Sequence, residues 1–517
     1  MPHAHRHHPL RPGLGLSALL AGLLLNPVAP PAAHAADTTP CDRGRAYRDL
    51  NGDGLEDAVV GDPYATVAGQ AQAGTVTVFF GATRGRIGDG PRRTLTQADL
   101  GQQPEASDHF GWAVRLSRTS DGGCYGILIG APGEDVDGQV DAGVAHVVTF
   151  DAGGQDQPTR DSLLTVDQGD VGGTPEAGDE FGYAVAARGG SDEYAVDFAF
   201  GAPGENSDAG VVNTSDSGHL GSGVQRRQGS GGVPGTFQAG DRFGEVLAYD
   251  RSFLPVKDDD DFVLLVGAPG DTVSGRRRAG SVTALTRFAR PRVFTQDTPG
   301  VPGTVEAGDH FGASLAQSQL PPLPDPRTLA IGAPGEDVGD TADAGSVTVL
   351  KRSDGRDLPA TVLTQETPGV AGRAETGDAF GTAVAYRDDR TLAVGIPGED
   401  LGTVRDAGSL QVVRVGRSRL SFPLPSLTED SPGTPGVVRS GSRFGAVVVG
   451  LPASDVVIGH NPPASYGEAL FAIGSPLQAG GSVVLLSDDP LSDAPDPAPR
   501  AWLPTSGSNG RFGWSVG

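Results

Sequence analysis

Positive charge is scarce. The chain carries 39 Lys and Arg against 64 Asp and Glu, a net charge of −25 at pH 7, and lysine is nearly absent. A surface of that sign repels nucleic acid and anionic lipid, so neither is expected as a partner. Cysteine is limited to Cys41 and Cys124, which excludes a disulfide-dense scaffold. Long apolar runs are missing beyond Leu14–Leu25, whose twelve residues are too few to cross a bilayer core of about 30 Å. No membrane span is therefore expected. Helical periodicity is absent as well. So are the G-x-S-x-G elbow, the HExxH zinc motif and the phosphate-binding P-loop.

What is present begins with an export signal. Arg6 and Arg11 precede the apolar run, and Ala33-His34-Ala35 is a small-x-small cleavage site. Residues 1–35 read as a signal peptide, with the mature chain starting near Ala36. Loss of the two arginines leaves the mature part at about −27. A secreted, extracellular setting follows, and in it the lone pair Cys41 and Cys124 is expected to form a disulfide. Five of the ten histidines leave with the leader. The other five, His109, His146, His219, His310 and His460, are scattered through the chain.

Glycine (79) and proline (41) are abundant, and they punctuate a repeat. Phe-Gly recurs at Phe110, Phe181, Phe243, Phe311, Phe380, Phe444 and Phe512, at spacings of 71, 62, 68, 69, 64 and 68 residues. Between successive copies an apolar run ends in Gly-x-Pro, as in ILIGAPGED at Ile127–Asp135, and a seventh such run, AVVGDP, lies at Ala58–Pro63. Each unit reads as four short strands. A four-stranded sheet of that size buries its faces only by stacking radially on its neighbours, which predicts an all-β, seven-bladed β-propeller of antiparallel blades. The chain starts without the first strand of a unit and ends on one, so the C-terminal strand is expected to complete the N-terminal blade. The blades are placed at 36–97 plus 505–517, 98–168, 169–230, 231–297, 298–366, 367–430 and 431–504. Blade 3 is irregular after Ala209-Gly210, where NTSDSGHLGSGVQRRQGSGG reads as a Gly/Ser loop replacing its third and fourth strands.

Phe-Gly and Gly-Ala-Pro in this order resemble FG-GAP repeats, the blades of the integrin α-chain N-terminal propeller. The resemblance covers nearly the whole mature chain and implies seven blades with calcium loops between first and second strands. Leg domains, a transmembrane helix and an inserted ligand-binding domain have no counterpart here. Members of the family include adhesion receptors and exported bacterial proteins.

Asp49-Leu50-Asn51-Gly52-Asp53-Gly54-Leu55-Glu56-Asp57 sits where the family places its cation. Ca²⁺ takes six to eight hard oxygens. Asp49, Asn51 and Asp53 alternate, Leu55 offers a carbonyl and Asp57 closes the set, so Ca²⁺ is the expected cofactor. The competing reading is an Asx turn holding its own backbone. Blade 3 keeps only part of the pattern (Ser191, Glu193, Asp197) with Gly189 at its first position, and Asp258–Asp261 is out of register.

Acidic turns repeat on the opposite face. Glu134 with Asp135, Glu336 with Asp337 and Glu399 with Asp400 follow Gly-x-Pro, and Asp108, Asp179, Asp241, Asp309 and Asp378 stand two residues before the Phe in five of the seven copies. Turn capping explains them, and a binding face for a cationic ligand or a further metal is the sharper alternative. The expected function is a secreted, calcium-binding module for an extracellular protein or glycan, adhesion-like and without catalysis. The alternative is an exported hydrolase or lyase with its site in the propeller channel.

Overall fold

The computed structural model describes residues 48–53, 55–81, 90–118, 125–150, 158–189, 196–216, 219–250, 263–286, 290–318, 326–353, 356–432, 434, 436–451, 470–476, 480–487, 500–502, 511–512 and 515–516. Residues 1–35, Cys41 and Cys124 lie outside them, as do Gly54, Ser191, Glu193, Asp258–Asp261 and His460.

Seven four-stranded antiparallel sheets follow one another along the chain. Blade 2 consists of Ala113–Arg118, Tyr125–Ala131, Val144–Phe150 and Pro158–Val166, paired in sequence order. Blades 3 to 7 repeat this up-and-down order from first strands at Ala184–Gly189, Val246–Asp250, Ser314–Gln317, Val384–Tyr386 and Val447–Leu451. Blade 1 takes Ala58–Asp62, Thr75–Phe79 and Arg92–Leu95 from the N-terminal part and its innermost strand, Ser515–Val516, from the C-terminus. Val60 pairs with Val516 and Gly61 with Ser515. The innermost strands touch in succession from blade 2 to blade 7, and blade 7 touches Ser515–Val516, so the ring is closed.

Blade 3 corrects one sequence expectation. Val211–Asp216 and His219–Arg226 are strands of its sheet, with no Gly/Ser loop in their place. Val211 and Val212 are fully buried and pair with Ala202 and Gly201, which outweighs the poor strand propensity of the glycines opposite. A register shift between Thr214 and Asp216 breaks the alternation that would have revealed the pair.

Two backbone devices fix each junction. The N–H of the repeated Phe donates to the carbonyl of the preceding blade's Ala-Gly alanine, as in Phe110 to Ala73 at 3.0 Å, Phe181 to Ala142 at 2.9 Å and Phe380 to Ala344 at 2.9 Å. The next glycine bonds the Gly-x-Pro glycine of its own blade, Gly381 N to Gly395 O at 3.0 Å for one. Phe110, Phe181, Phe243, Phe311, Phe380 and Phe444 are all fully buried between sheets. The closing junction reuses the first device, since Gly480–Gly481 runs parallel to Arg511–Phe512 with Gly481 opposite Phe512. Gly74 and Gly408 face Phe110 and Phe444 in the same parallel register.

His146, on the third strand of blade 2, is buried edge-on to Phe110 with ring centroids 5.4 Å apart, and one ring nitrogen contacts Thr165 Oγ1 at 3.1 Å. Burial pushes its pKa down to about 3. The unfolded chain therefore binds a proton between about pH 6.5 and 3 that the folded chain refuses, and stability falls as pH drops through that window. By pH 5 the penalty is about 2 kcal/mol. Chemical unfolding of His146→Gln at pH 7 and pH 5 should show a loss on acidification smaller than the parent's by that amount. An unchanged loss would contradict it.

Candidate functional site

The loop 48–57 feeds the fully buried strand Ala58–Asp62 of blade 1. Asp57 is fully buried at its base, and its two carboxylate oxygens accept the N–H of Leu50 at 2.7 Å and of Gly81 at 2.9 Å. Asp49 accepts from Gly52 N at 2.7 Å, Asn51 from Asp53 N at 3.1 Å, and Asp53 from Leu55 N at 2.8 Å. Tyr125 N bonds Asp49 O at 3.2 Å, which ties the loop to blade 2. Burial pushes the Asp57 carboxyl well up, against the two backbone bonds, and the charges of Asp49 and Asp53 push the same way. Burial likewise carries Glu56 to about 7, opposed by Arg48. Three carboxylates and an amide crowd one short loop, a donor set whose chemistry suits a hard cation. The hydrogen bonds themselves are those of Asx turns.

On the opposite face, the repeated acids divide into two kinds. Asp135, Asp337 and Asp400 each cap a turn by accepting an N–H, from Asp141 at 3.0 Å, Asp343 at 3.0 Å and Asp406 at 2.8 Å. Glu134, Glu336 and Glu399 instead face the blade junction, where each accepts a bond from the side-chain amide of a glutamine on the preceding blade, respectively Gln97, Gln296 and Gln365. Beside them the Asp that precedes each Phe caps the linking turn, as Asp108 does for Glu105 N at 2.6 Å and Asp378 for Glu375 N at 2.7 Å. Burial first, and then the neighbouring carboxylates, push Glu134, Glu336 and Glu399 to about 7. Among the described residues, the three acids whose oxygens lie within 4.8 Å of one another are Glu176, Asp179 and Glu205, at the junction of blades 2 and 3.

An aromatic arc on this face escaped the sequence reading. Tyr64 follows the Gly-x-Pro turn of blade 1, His109 precedes the Phe-Gly of blade 2, and Trp112 and Tyr183 follow the Phe-Gly of blades 2 and 3. Their rings form a chain, Tyr64 to His109 at 5.4 Å, His109 to Trp112 at 5.6 Å and Trp112 to Tyr183 at 5.1 Å. Arg242 caps it, 5.2 Å over the Tyr183 ring, and is held by Glu180 at 3.0 Å, Asp208 at 3.1 Å and Glu245. All five side chains of the arc are half-buried. The signal was the residue after Phe-Gly, aromatic in blades 2 and 3 and small in blades 5 to 7 (Ala313, Thr382, Ala446).

Among the described histidines, His109 and His310 occupy the same repeat position. His109 contacts Gln72 Oε1 at 3.0 Å, and burial lowers its pKa against the pull of Asp141. His310 is lowered by burial in the same way.

No protein-family model matches the chain, and no curated protein matches it. Among solved structures, the Pseudomonas aeruginosa periplasmic gluconolactonase PpgL aligns over 88% of this chain and 98% of its own, at 13% identity and a TM-score of 0.37. A eukaryotic initiation factor aligns over 80% of each chain at 10% identity and a TM-score of 0.29. Likeness at that level says nothing about activity. The chain is a seven-bladed β-propeller on its own sheet topology. Among the described residues no helix is long and apolar enough to cross a membrane.

Proposed function

We propose that this propeller is an exported, calcium-binding member of the FG-GAP type, similar to the integrin α-chain head, and that it works as an extracellular binding module. The observation that carries the reading is the aromatic arc. Trp, Tyr and Arg dominate the energetics of recognition surfaces because they offer large, stiff contact area with a polar edge. Here Trp112, Tyr183 and Arg242 are already packed on one another, so little ordering cost remains at binding. The flat faces of the rings suit the apolar face of a sugar or an aromatic side chain, and the anchored guanidinium adds a donor at the rim. The reading of residues 1–35 as a signal peptide is what supports export.

The 49–57 loop lies on the other face, and its role is to hold blade 1. Asp49, Asn51, Asp53, Leu55 and Asp57 would take the Ca²⁺, which neutralises the crowded carboxylates and stabilises the folded chain by mass action.

A pull-down from extracellular material and a glycan array, each run with Ca²⁺ and with chelator, test both halves. Trp112→Ala with Tyr183→Ala should weaken capture at least about 10-fold while circular dichroism is unchanged. Full capture by that double variant would remove the arc from the account. Turnover of a captured sugar would turn the reading toward an enzyme.

A further inference from the structure

Four residues recur at the blade junctions, one of them from the preceding blade. At the junction of blades 2 and 3 they are Gln168, Glu176, Asp179 and Glu205. Gln168 opens a short 3₁₀ turn after the last strand of blade 2, Glu176 and Asp179 lie in the link before Phe181, and Glu205 follows the Gly-Ala-Pro turn of blade 3. The set brings three carboxyl groups together. The Glu176, Asp179 and Glu205 oxygens lie within 4.8 Å of one another, with Asp179 and Glu205 buried and Glu176 exposed. The buried acids are partly engaged: Asp179 Oδ2 accepts from Glu176 N at 2.7 Å, and the Glu205 oxygens accept from Asn206 Nδ2 and Gln168 Nε2, each at 2.6 Å.

The amide of Gln168 supplies an independent pointer. It is fully buried, its Nε2 is fixed on the Glu205 carboxylate, and its Oε1 has no donor. Leaving a buried acceptor unmet is costly, because the group has given up its water without replacement. The same unmet oxygen recurs on the equivalent Gln97, Gln296 and Gln365. An atom that lacks a donor at every copy, beside three crowded acids of which Glu205 alone feels a basic side chain, Arg227, is what a cation satisfies.

Blade 7 is an internal control. There the glutamine position holds Glu429, the link glutamate is Arg439, the link aspartate is Ser442, and the glutamate after the turn is Gln478, the last lying outside the described residues. Arg439 and the Ser475 and Ser442 hydroxyls lie against the Glu429 carboxyl. One acid and one base replace three acids, so this junction carries its own cation as a side chain.

We infer that Glu176, Asp179 and Glu205, with the Gln168 amide oxygen, form a site for a hard divalent cation of the Ca²⁺ class that pins blade 2 to blade 3. All the donors are hard oxygens, which favours Ca²⁺ or Mg²⁺ over the transition metals, and the exposed Glu176 leaves room for water to complete the shell. The site stands apart from the Asp49 loop and does not depend on it.

The test uses the full mature chain with Asp53→Ala, so that loop binding is removed, and CaCl₂ as the probe. Equilibrium dialysis should still find bound Ca²⁺. Adding Glu176→Gln, an exposed change that leaves the fold alone, should weaken one site at least 10-fold, and adding Asp179→Asn should remove one Ca²⁺ per chain. The blade 7 set placed at this junction (Gln168→Glu, Glu176→Arg, Asp179→Ser, Glu205→Gln) should fold without Ca²⁺ and bind one fewer ion than its background. Unchanged stoichiometry and affinity in folded Glu176→Gln and Asp179→Asn chains would overturn the site. Loss of all Ca²⁺ binding in Asp53→Ala alone would overturn it too, while leaving the loop assignment standing.

Discussion

A chain ending at Gly510 will fail to form a stable ring. The residues removed include Ser515–Val516, the innermost strand of blade 1. Without them Val60 and Gly61 lose their pairing partners. The hydroxyl of Ser515, which bonds Gly111 O at 2.7 Å and so ties blade 1 to blade 2, also goes. Strand Ala58–Asp62, buried along its whole length, becomes an open edge. Each buried backbone group left unmet costs about 1–3 kcal/mol, and the apolar area opened on both flanks adds to it. A loss of more than about 5 kcal/mol is expected, comparable to the whole stability of an ordinary domain. The open edge should also make the truncated chain associate, because unpaired strands template further pairing. Size-exclusion chromatography and chemical unfolding read both effects. A monomer with the parent's unfolding midpoint would refute the role of the tail.

Gly332→Val is expected to be nearly as damaging from a single side chain. Gly332 closes the second strand of blade 5, where a Cβ would stand 2.1 Å from Gly381 O of blade 6 and 2.2 Å from Ser314 Oγ. The carbonyl cannot retreat, since Gly381 has φ +90° and its own Cβ position is blocked 2.7 Å from Ser346 O. The two sheets must part, which exposes Phe380, fully buried at that junction. Large overpacking of this kind costs about 3 kcal/mol or more. Gly339→Ala is the comparison, because nothing lies within 4 Å of its Cβ position and only its φ of +64° opposes the change. It should lose about 1 kcal/mol. Equal losses in the two variants would mean that the blade junction yields.

The contrast between these positions explains why the architecture was legible from residues alone. Phe-Gly and Gly-x-Pro recur because backbones touch where they stand, and no other residue fits the glycine. The closing strand was legible because the chain begins one strand short and ends one strand over. The third and fourth strands of blade 3 were hidden by Gly221 and Gly223 and by the shifted register at Thr214. The junction acids were visible as a repeat, yet their partner glutamine was not, because its distance to the Phe differs between Gln168 with Phe181 and Gln365 with Phe380. The aromatic arc was invisible for a different reason. Tyr64, Trp112 and Arg242 are far apart in the chain and occupy positions where the repeat varies, while a search for periodicity attends to what stays constant.

The central claim is that the C-terminal residues supply the innermost strand of the first blade. Cysteines placed at Val60 and Val516, oxidised in the native protein and mapped by mass spectrometry, report on it directly. The predicted result is a 60–516 disulfide-linked peptide pair formed with no change in circular dichroism. Recovery of both cysteines as free thiols from a chain that is folded and oxidised under the same conditions would contradict it.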